Sequence, residues 1–230
     1  MPNCHVDWPQ AWRIIAARYP PIAFFERLSV DPAAWEALLA LEELTNPSVR
    51  DAVGEIALVP PEDRISGPGA SYVMAAFTHL NPKGSRFSDG SYGAYYAAAA
   101  LETAIAETVF HFEAFARDSA DPPRSEDFCA LVGILAAAFD DVAALAVEQQ
   151  RAILDPASYV ASRAYAKQLR EAGANGVAYP SVRHAGGQCI GAFRPPAVGL
   201  PHPERHLQYR WNGARVDRYF DYARDEWIGL

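Results

Sequence analysis

Residues 84–111 read GSRFSDGSYGAYYAAAALETAIAETVFH, and few other stretches of the chain gather so much chemistry. Arg86 offers a planar, permanently charged fork suited to phosphate or carboxylate. Gly84 and Gly90 flank it and allow backbone turns closed to other residues. Arg86 could point at a ligand from that loop, or it could cap a strand with its stem packed. Tyr92, Tyr95 and Tyr96 follow in a strand-like run, where tyrosine rings usually pack in the core and bond their hydroxyls. An alanine-rich helix over 101–117 then carries two acids, Glu102 and Glu107. Leu101, Ile105, Val109, Phe112 and Ala116 form its apolar stripe, and Glu107 lies about 160° from that stripe at roughly 100° per residue. The ordinary fate of such a glutamate is a solvated face. Its neighbours there are Ala100, Ala104 and His111, small enough at two of three positions for another group to approach. Glu102 lies about 140° around the helix from Glu107, so the two acids do not share a face. An acid in the first turn favours the helix N-terminus without further purpose. His111, one turn after Glu107, is placed to be its neighbour.

Other chemistries find little support. No GxGxxG or GxxxxGK[ST] occurs, which disfavours dinucleotide and P-loop folds, and there is no GxSxG elbow. Cys4, Cys129 and Cys189 are far apart, so neither a disulfide framework nor a zinc site is indicated. In "HPERH", Pro203 argues against a helical metal face for His202 and His206. The net charge of −8 and a pI of about 5.2 argue against nucleic acid as the main partner. A small anion needs only a few local arginines. The N-terminus lacks a signal-peptide pattern, and no apolar run approaches the roughly 20 residues of a membrane span. A soluble, cytoplasmic protein is expected.

The elements that must position these residues read as one α+β domain. Residues 1–21 read as an arm with a short helix over 10–18 closed by Tyr19-Pro20-Pro21, and 22–28 as a strand. Asp31 is a suitable N-cap with Pro32 in the first turn of the next helix, which Asn46-Pro47 ends. Glu36 and Glu43 on that helix are expected to be solvated. "SYVMAAFTHL" is a strand or a buried helical turn; its period does not decide. "AYYAA", "DFCALVG", "GVAYPSV" and "GGQCIGAF" read as strands. A helix precedes Gly173. Asn212-Gly213 between two strand-like runs signals a hairpin. The division expected is an arm over 1–21, the main domain over 22–199, and a hairpin extension over 200–230 packed on it.

The pattern resembles the RES domain family, named for arginine, glutamate and serine. The resemblance rests on Arg86-Phe87 in a Gly-flanked loop, Tyr96 ten residues on, Glu107 twenty-one residues on, and the strand ending Pro180-Ser181. "ISGPGA" matches the family's Ser-Gly-x-Gly element. The family also has a strand near its N-terminus with an aromatic-x-Arg or Tyr-Arg pair, which "FFERL" would supply through Arg27. The resemblance covers roughly 22–193. It implies a fold similar to ADP-ribosyltransferases, with mixed sheets and flanking helices. It further implies a toxin of a toxin–antitoxin pair that destroys NAD⁺, partnered by a helix-turn-helix antitoxin of the Xre type, in a homodimer or a hetero-oligomer. NAD⁺ would enter as substrate, with no cofactor or metal.

On that resemblance Glu107 would hold the ribose 2′-hydroxyl and favour the positive charge that develops as nicotinamide leaves. Arg27 and Arg86 would grip the pyrophosphate. Tyr96 would stack on nicotinamide or ribose, or donate its hydroxyl, and Ser181 would orient the ribose or the arginines. Water would make the enzyme a glycohydrolase, inorganic phosphate a phosphorylase. Two other readings stand beside this one. An ADP-ribosyltransferase acting on a macromolecule often has a Glu or Gln two residues before the catalytic glutamate; here Ile105 occupies that place. A nucleotide-binding protein that has lost its chemistry is opposed by the joint presence of Arg86, Tyr96, Glu107 and Ser181.

Overall fold

Two long strands, β1 (Asn3–Ala16) and β3 (Arg124–Asp141), form the spine of the computed structural model, which describes residues 2–18, 23–28 and 31–230. Their antiparallel ladder runs from Asn3↔Asp140 to Ala16↔Phe128 and shifts register between Trp8 and Ala11. Pro9 lies in that gap; it has no N–H for the ladder, so a bulge belongs there. The helix expected over 10–18 is therefore a strand through Ala16. Its short apolar run fits either period, and pairing along β3 decides for the strand. The Tyr19-Pro20-Pro21 turn lies outside the described residues.

Strands β2 (Tyr95–Ala98), β4 (Gly176–Pro180) and β5 (Gln188–Ala192) join this pair in the order β1-β2-β5-β4-β3. Because β1 also pairs with β3, these five strands close on themselves. From β3 the sheet continues outward through β6 (His202–Trp211), β7 (Val216–Asp221) and β8 (Glu226–Gly229). The β6–β7 hairpin turns at Asn212-Gly213 as expected. The Asn212 side chain accepts from the Ala214 and Arg215 amides, and Gly213 takes φ +97°.

Three apolar clusters surround the sheet. On one side pack α1 (Trp35–Glu43), α2 (Val49–Val53) and α3 (Ala70–Thr78). Here Phe25, Trp35, Met74 and Phe77 meet Tyr95, Leu135 and Ile190. "SYVMAAFTHL" is thus the buried helix α3. The segment expected as a strand over 22–28 is instead a short 3-10 turn at Phe25–Arg27; Ile22 lies outside the described residues. Burying Phe25 against Trp35 needs no strand partner, and among the described residues no strand pairs with it. Asp31 does cap the turn into α1, accepting from the Ala33 amide. Glu36 and Glu43 are both engaged at the surface, by Arg64 and Arg50. On the second side α5 (Val147–Ile153) and α6 (Val160–Glu171) cover Phe87, Val177, Tyr179 and Cys189. The third cluster is the face of α4 (Leu101–Asp118), where Ile105, Phe112 and Ala116 meet Phe128, Leu207, Tyr209 and Trp211. No helix among the described residues is long and apolar enough to cross a membrane.

Candidate active site

Helix α4 is covered on two sides, which is what the spacing of its small residues allowed. The apolar stripe meets the β3–β6–β7 sheet; the opposite face, with Thr103, Ala104 and Glu107, meets the loop between β4 and β5. Glu107 is consequently half-buried rather than solvated. Ser181, the first residue after β4, donates its hydroxyl to Glu107 Oε1 at 2.6 Å. Ser181 Oγ itself accepts from the backbone amides of Arg183 at 3.2 Å and His184 at 3.0 Å. With the amides on its acceptor side, the hydroxyl proton is left to point at the carboxylate 2.6 Å away. Glu107 Oε2 accepts no hydrogen bond among the described residues. Glu102, by contrast, is exposed.

The loop is tied down around this pair. Arg183 stacks on Phe110 of α4, its guanidinium carbon 3.4 Å from the ring centroid, and donates to the Pro156 carbonyl at 2.8 Å. His184 Nδ1 meets Thr103 Oγ1 at 2.8 Å. Gly187 lies so close to Thr103 that a Cβ would sit 2.6 Å from its methyl carbon. His111 shows part of its ring to solvent but is crowded by protein. That crowding lowers its pKa below the ordinary value, Glu107 pulls it back up, and Arg183 and Arg86 add to the lowering. Burial and the Glu107 charge push the Cys189 thiol up to about 12, so it stays protonated and is no nucleophile.

Tyr96 and Arg86 belong to one construction. The Tyr96 side chain leaves β2 beside Gly191, whose missing Cβ would lie 3.1 Å from the Tyr96 ring. Its hydroxyl pairs with Ser85 Oγ at 2.7 Å and accepts from the Phe87 amide at 2.9 Å, fixing the residues on both sides of Arg86. Burial pushes its phenol up to about 12, against the lowering effects of Ser85, Phe87 and Arg86. Arg86 itself is buried, with Nη1 donating to the carbonyls of Ile153 at 3.1 Å and Asp155 at 2.9 Å. Its guanidinium lies 4.6 Å from the Tyr159 ring centroid. The remaining guanidinium nitrogens make no hydrogen bond among the described residues.

Arg27 is not brought to this place. It is exposed on the Phe25–Arg27 turn beside the α1–α3 cluster and bonds to none of Arg86, Tyr96, Glu107 or Ser181. The arginine that does arrive from the N-terminal segment is Arg13 of β1. Its Nη1 donates to the Tyr96 carbonyl at 3.1 Å, and its guanidinium lies 4.5 Å over the Tyr95 ring. Nε is buried with no partner, and no carboxylate pairs with the side chain among the described residues. Burial lowers its pKa from the usual arginine value. Arg13 lines a cavity of about 240 Å³ together with His79, Ser85, Ser88, Tyr92 and Tyr96. Arg13 is thus a half-buried cation beside that cavity, with no carboxylate partner among the described residues. The signal that could have revealed it is the pair Trp12-Arg13, an aromatic and an arginine together, once that segment is known to be a strand.

The chain belongs to the RES domain family, whose sequence profile matches residues 61–212. That span contains Arg86, Tyr96, Glu107 and Ser181 but neither Arg13 nor Arg27. An uncharacterised protein of Sinorhizobium fredii, y4oC, is 28% identical over 222 residues, covering 94% of this chain and 89% of its own length. Among solved structures, the toxin–antitoxin complex MbcT–MbcA of M. tuberculosis matches with 13% identity and a TM-score of 0.42, over 92% of this chain and 88% of that one.

Proposed function

We propose that this protein cleaves the nicotinamide–ribose bond of NAD⁺, as a toxin-type enzyme that depletes the cellular pool. The observation that carries the reading is Glu107: one oxygen bonded to the Ser181 hydroxyl, the other accepting no hydrogen bond among the described residues. Nicotinamide is a cation in NAD⁺ and leaves neutral, so departure needs no general acid, and the second carboxyl group of ordinary glycosidases is unnecessary. A single fixed carboxylate then suffices. Glu107 Oε2 would accept from a ribose hydroxyl and face the positive charge as it grows at the anomeric carbon. The interaction strengthens toward the transition state, and prior fixing by Ser181 means nothing must reorganise.

Arg13, in the cavity it lines with Ser85 and Tyr96, and Arg86, on the loop that the Tyr96 hydroxyl holds, would supply the positive charge for the pyrophosphate. Tyr96, with its hydroxyl already engaged by Ser85 and Phe87, holds the Arg86 loop rather than donating to substrate. Ile105, two residues before Glu107, is buried in the α4 core. No acceptor-presenting side chain can act from that position, which favours cleavage over transfer to a protein arginine. Water or inorganic phosphate completes the reaction by bonding to the anomeric carbon. Membership of the family supports a helix-turn-helix antitoxin as the partner that covers the site.

The test is purified protein with NAD⁺, with and without inorganic phosphate, followed by proton and phosphorus NMR. Free nicotinamide with ADP-ribose, or with its phosphorylated form, is expected, and Glu107→Gln should lose it while melting as the parent does. A folded parent that releases no nicotinamide under either condition overturns the reading.

A further inference from the structure

We infer that His184 is a positioning residue: through the β4–β5 loop it holds Ser181, and through Ser181 it sets the Glu107 carboxylate. This rests on the reading of Glu107 as the reacting carboxylate. The geometry is a contact of one loop with one helix at three points: His184 with Thr103, Ser181 with Glu107, and Arg183 with Phe110. Thr103 and Glu107 are four residues apart on α4 and therefore share a face. The loop touches that face at both, with His184 Nδ1 on Thr103 Oγ1 at 2.8 Å and Ser181 Oγ on Glu107 Oε1 at 2.6 Å.

Ser181 cannot select its own partner. Its hydroxyl is directed to Glu107 because the amides of Arg183 and His184 occupy its acceptor side. Those amides are in place only while residues 183 and 184 keep their position. The loop closes on itself, Ser181 N donating to the Gly187 carbonyl and Gly187 N to the His184 carbonyl. Those bonds fix its shape and leave its seat on α4 open. The seat is Thr103, itself buried, which takes the His184 ring and the bare backbone of Gly187. Arg183 anchors the other side of the loop, to Pro156 and to Phe110 two turns along α4 from Thr103. Releasing the imidazole lets residue 184 drift, frees the acceptor side of Ser181, and allows its hydroxyl to turn from Glu107.

The experiment compares His184→Ala, His184→Asn, Ser181→Ala and the double variant His184→Ala/Ser181→Ala. Asparagine carries a polar atom where the imidazole carries Nδ1 and can still reach Thr103. His184→Ala is expected to lower kcat for NAD⁺ cleavage about 10- to 100-fold, the cost of a small misplacement at a reacting centre, with KM within about twofold. His184→Asn should recover most of that loss. In the Ser181→Ala background His184→Ala should cost almost nothing more, since a residue acting through the hydroxyl has nothing left to act on. Equal losses in both backgrounds, or a change in KM with kcat intact, would overturn the inference. Should the parent prove unable to cleave NAD⁺, the proposed function fails by itself. The same cycle read in melting temperature then decides this inference: non-additive shifts sustain the coupling of His184 to Ser181, additive shifts refute it.

Discussion

Replacing Arg13 by methionine should make the protein more stable and a poorer ligand binder at once. The side chain is a half-buried cation on β1, its Nε buried and unpartnered, with no carboxylate beside it among the described residues. Transferring such a charge from water costs several kcal/mol even after relaxation. Against this, its bond to the Tyr96 carbonyl contributes about 1.5–3 kcal/mol as a charge-assisted contact. Its place over the Tyr95 ring adds about 0.5–2 kcal/mol. Methionine keeps the apolar stem and fills much of the volume, and removing the charge outweighs the carbonyl left without a partner. A net gain of about 1–2 kcal/mol is expected, or roughly 2–8 °C in Tm for a domain of this size. Binding moves the other way. Loss of one charge-assisted contact to pyrophosphate should weaken NAD⁺ about 10- to 100-fold, equivalent to about 1.4–2.8 kcal/mol. Scanning fluorimetry and urea melts give the first quantity, and titration calorimetry with NAD⁺ on the Glu107→Gln background gives the second. A variant that is less stable than the parent and binds NAD⁺ equally well would refute the reasoning, because Arg13 would then be a structural residue satisfied by its carbonyl and ring.

Three further outcomes follow from the geometry. The Tyr96 phenol, raised from 10 to about 12 by burial, keeps its proton after the unfolded chain has lost it, so stability falls as pH rises from about 10 to 12. Tyr96→Phe should remove on the order of 2 kcal/mol of that alkaline loss, measurable as urea midpoints across the range. Gly93→Ala would place a Cβ 2.2 Å from the Ala76 carbonyl oxygen and 2.4 Å from the Phe77 Cα, forcing α3 off the sheet. A destabilisation of about 2–3 kcal/mol in urea is expected from such overpacking, and an unchanged midpoint would show that α3 yields freely. Glu102→Ala, at an exposed first-turn position, should leave NAD⁺ cleavage within about twofold of the parent, whereas a large loss would show that the wrong acid was chosen.

Much about the site was legible in residue types and intervals. The resemblance to the RES family names Arg86, Tyr96, Glu107 and Ser181 as candidates; what a single chain displays by itself is the local frame around them: glycines at φ +70° and +98° around Arg86, a short strand, a helix with small residues opposite its apolar stripe, a Pro-Ser strand end. The same local signals gave helix α4, the glycine stop after α6 and the Asn212-Gly213 hairpin. Charge and composition argued against a nucleic-acid partner before any element was placed. What needed the tertiary structure was every feature decided by a partner far away in sequence. Residues 3–16 are a strand because β3 offers them a ladder more than a hundred residues on, and only that pairing carries Arg13 to Tyr96 while Arg27 stays outside. Glu107 leaves the solvated face expected of it because a loop some seventy residues later comes to rest on that side of the helix. Periodicity along one segment reports which side of it is apolar; it cannot report which distant backbone supplies the hydrogen bonds that turn a neighbouring hydroxyl toward a carboxylate.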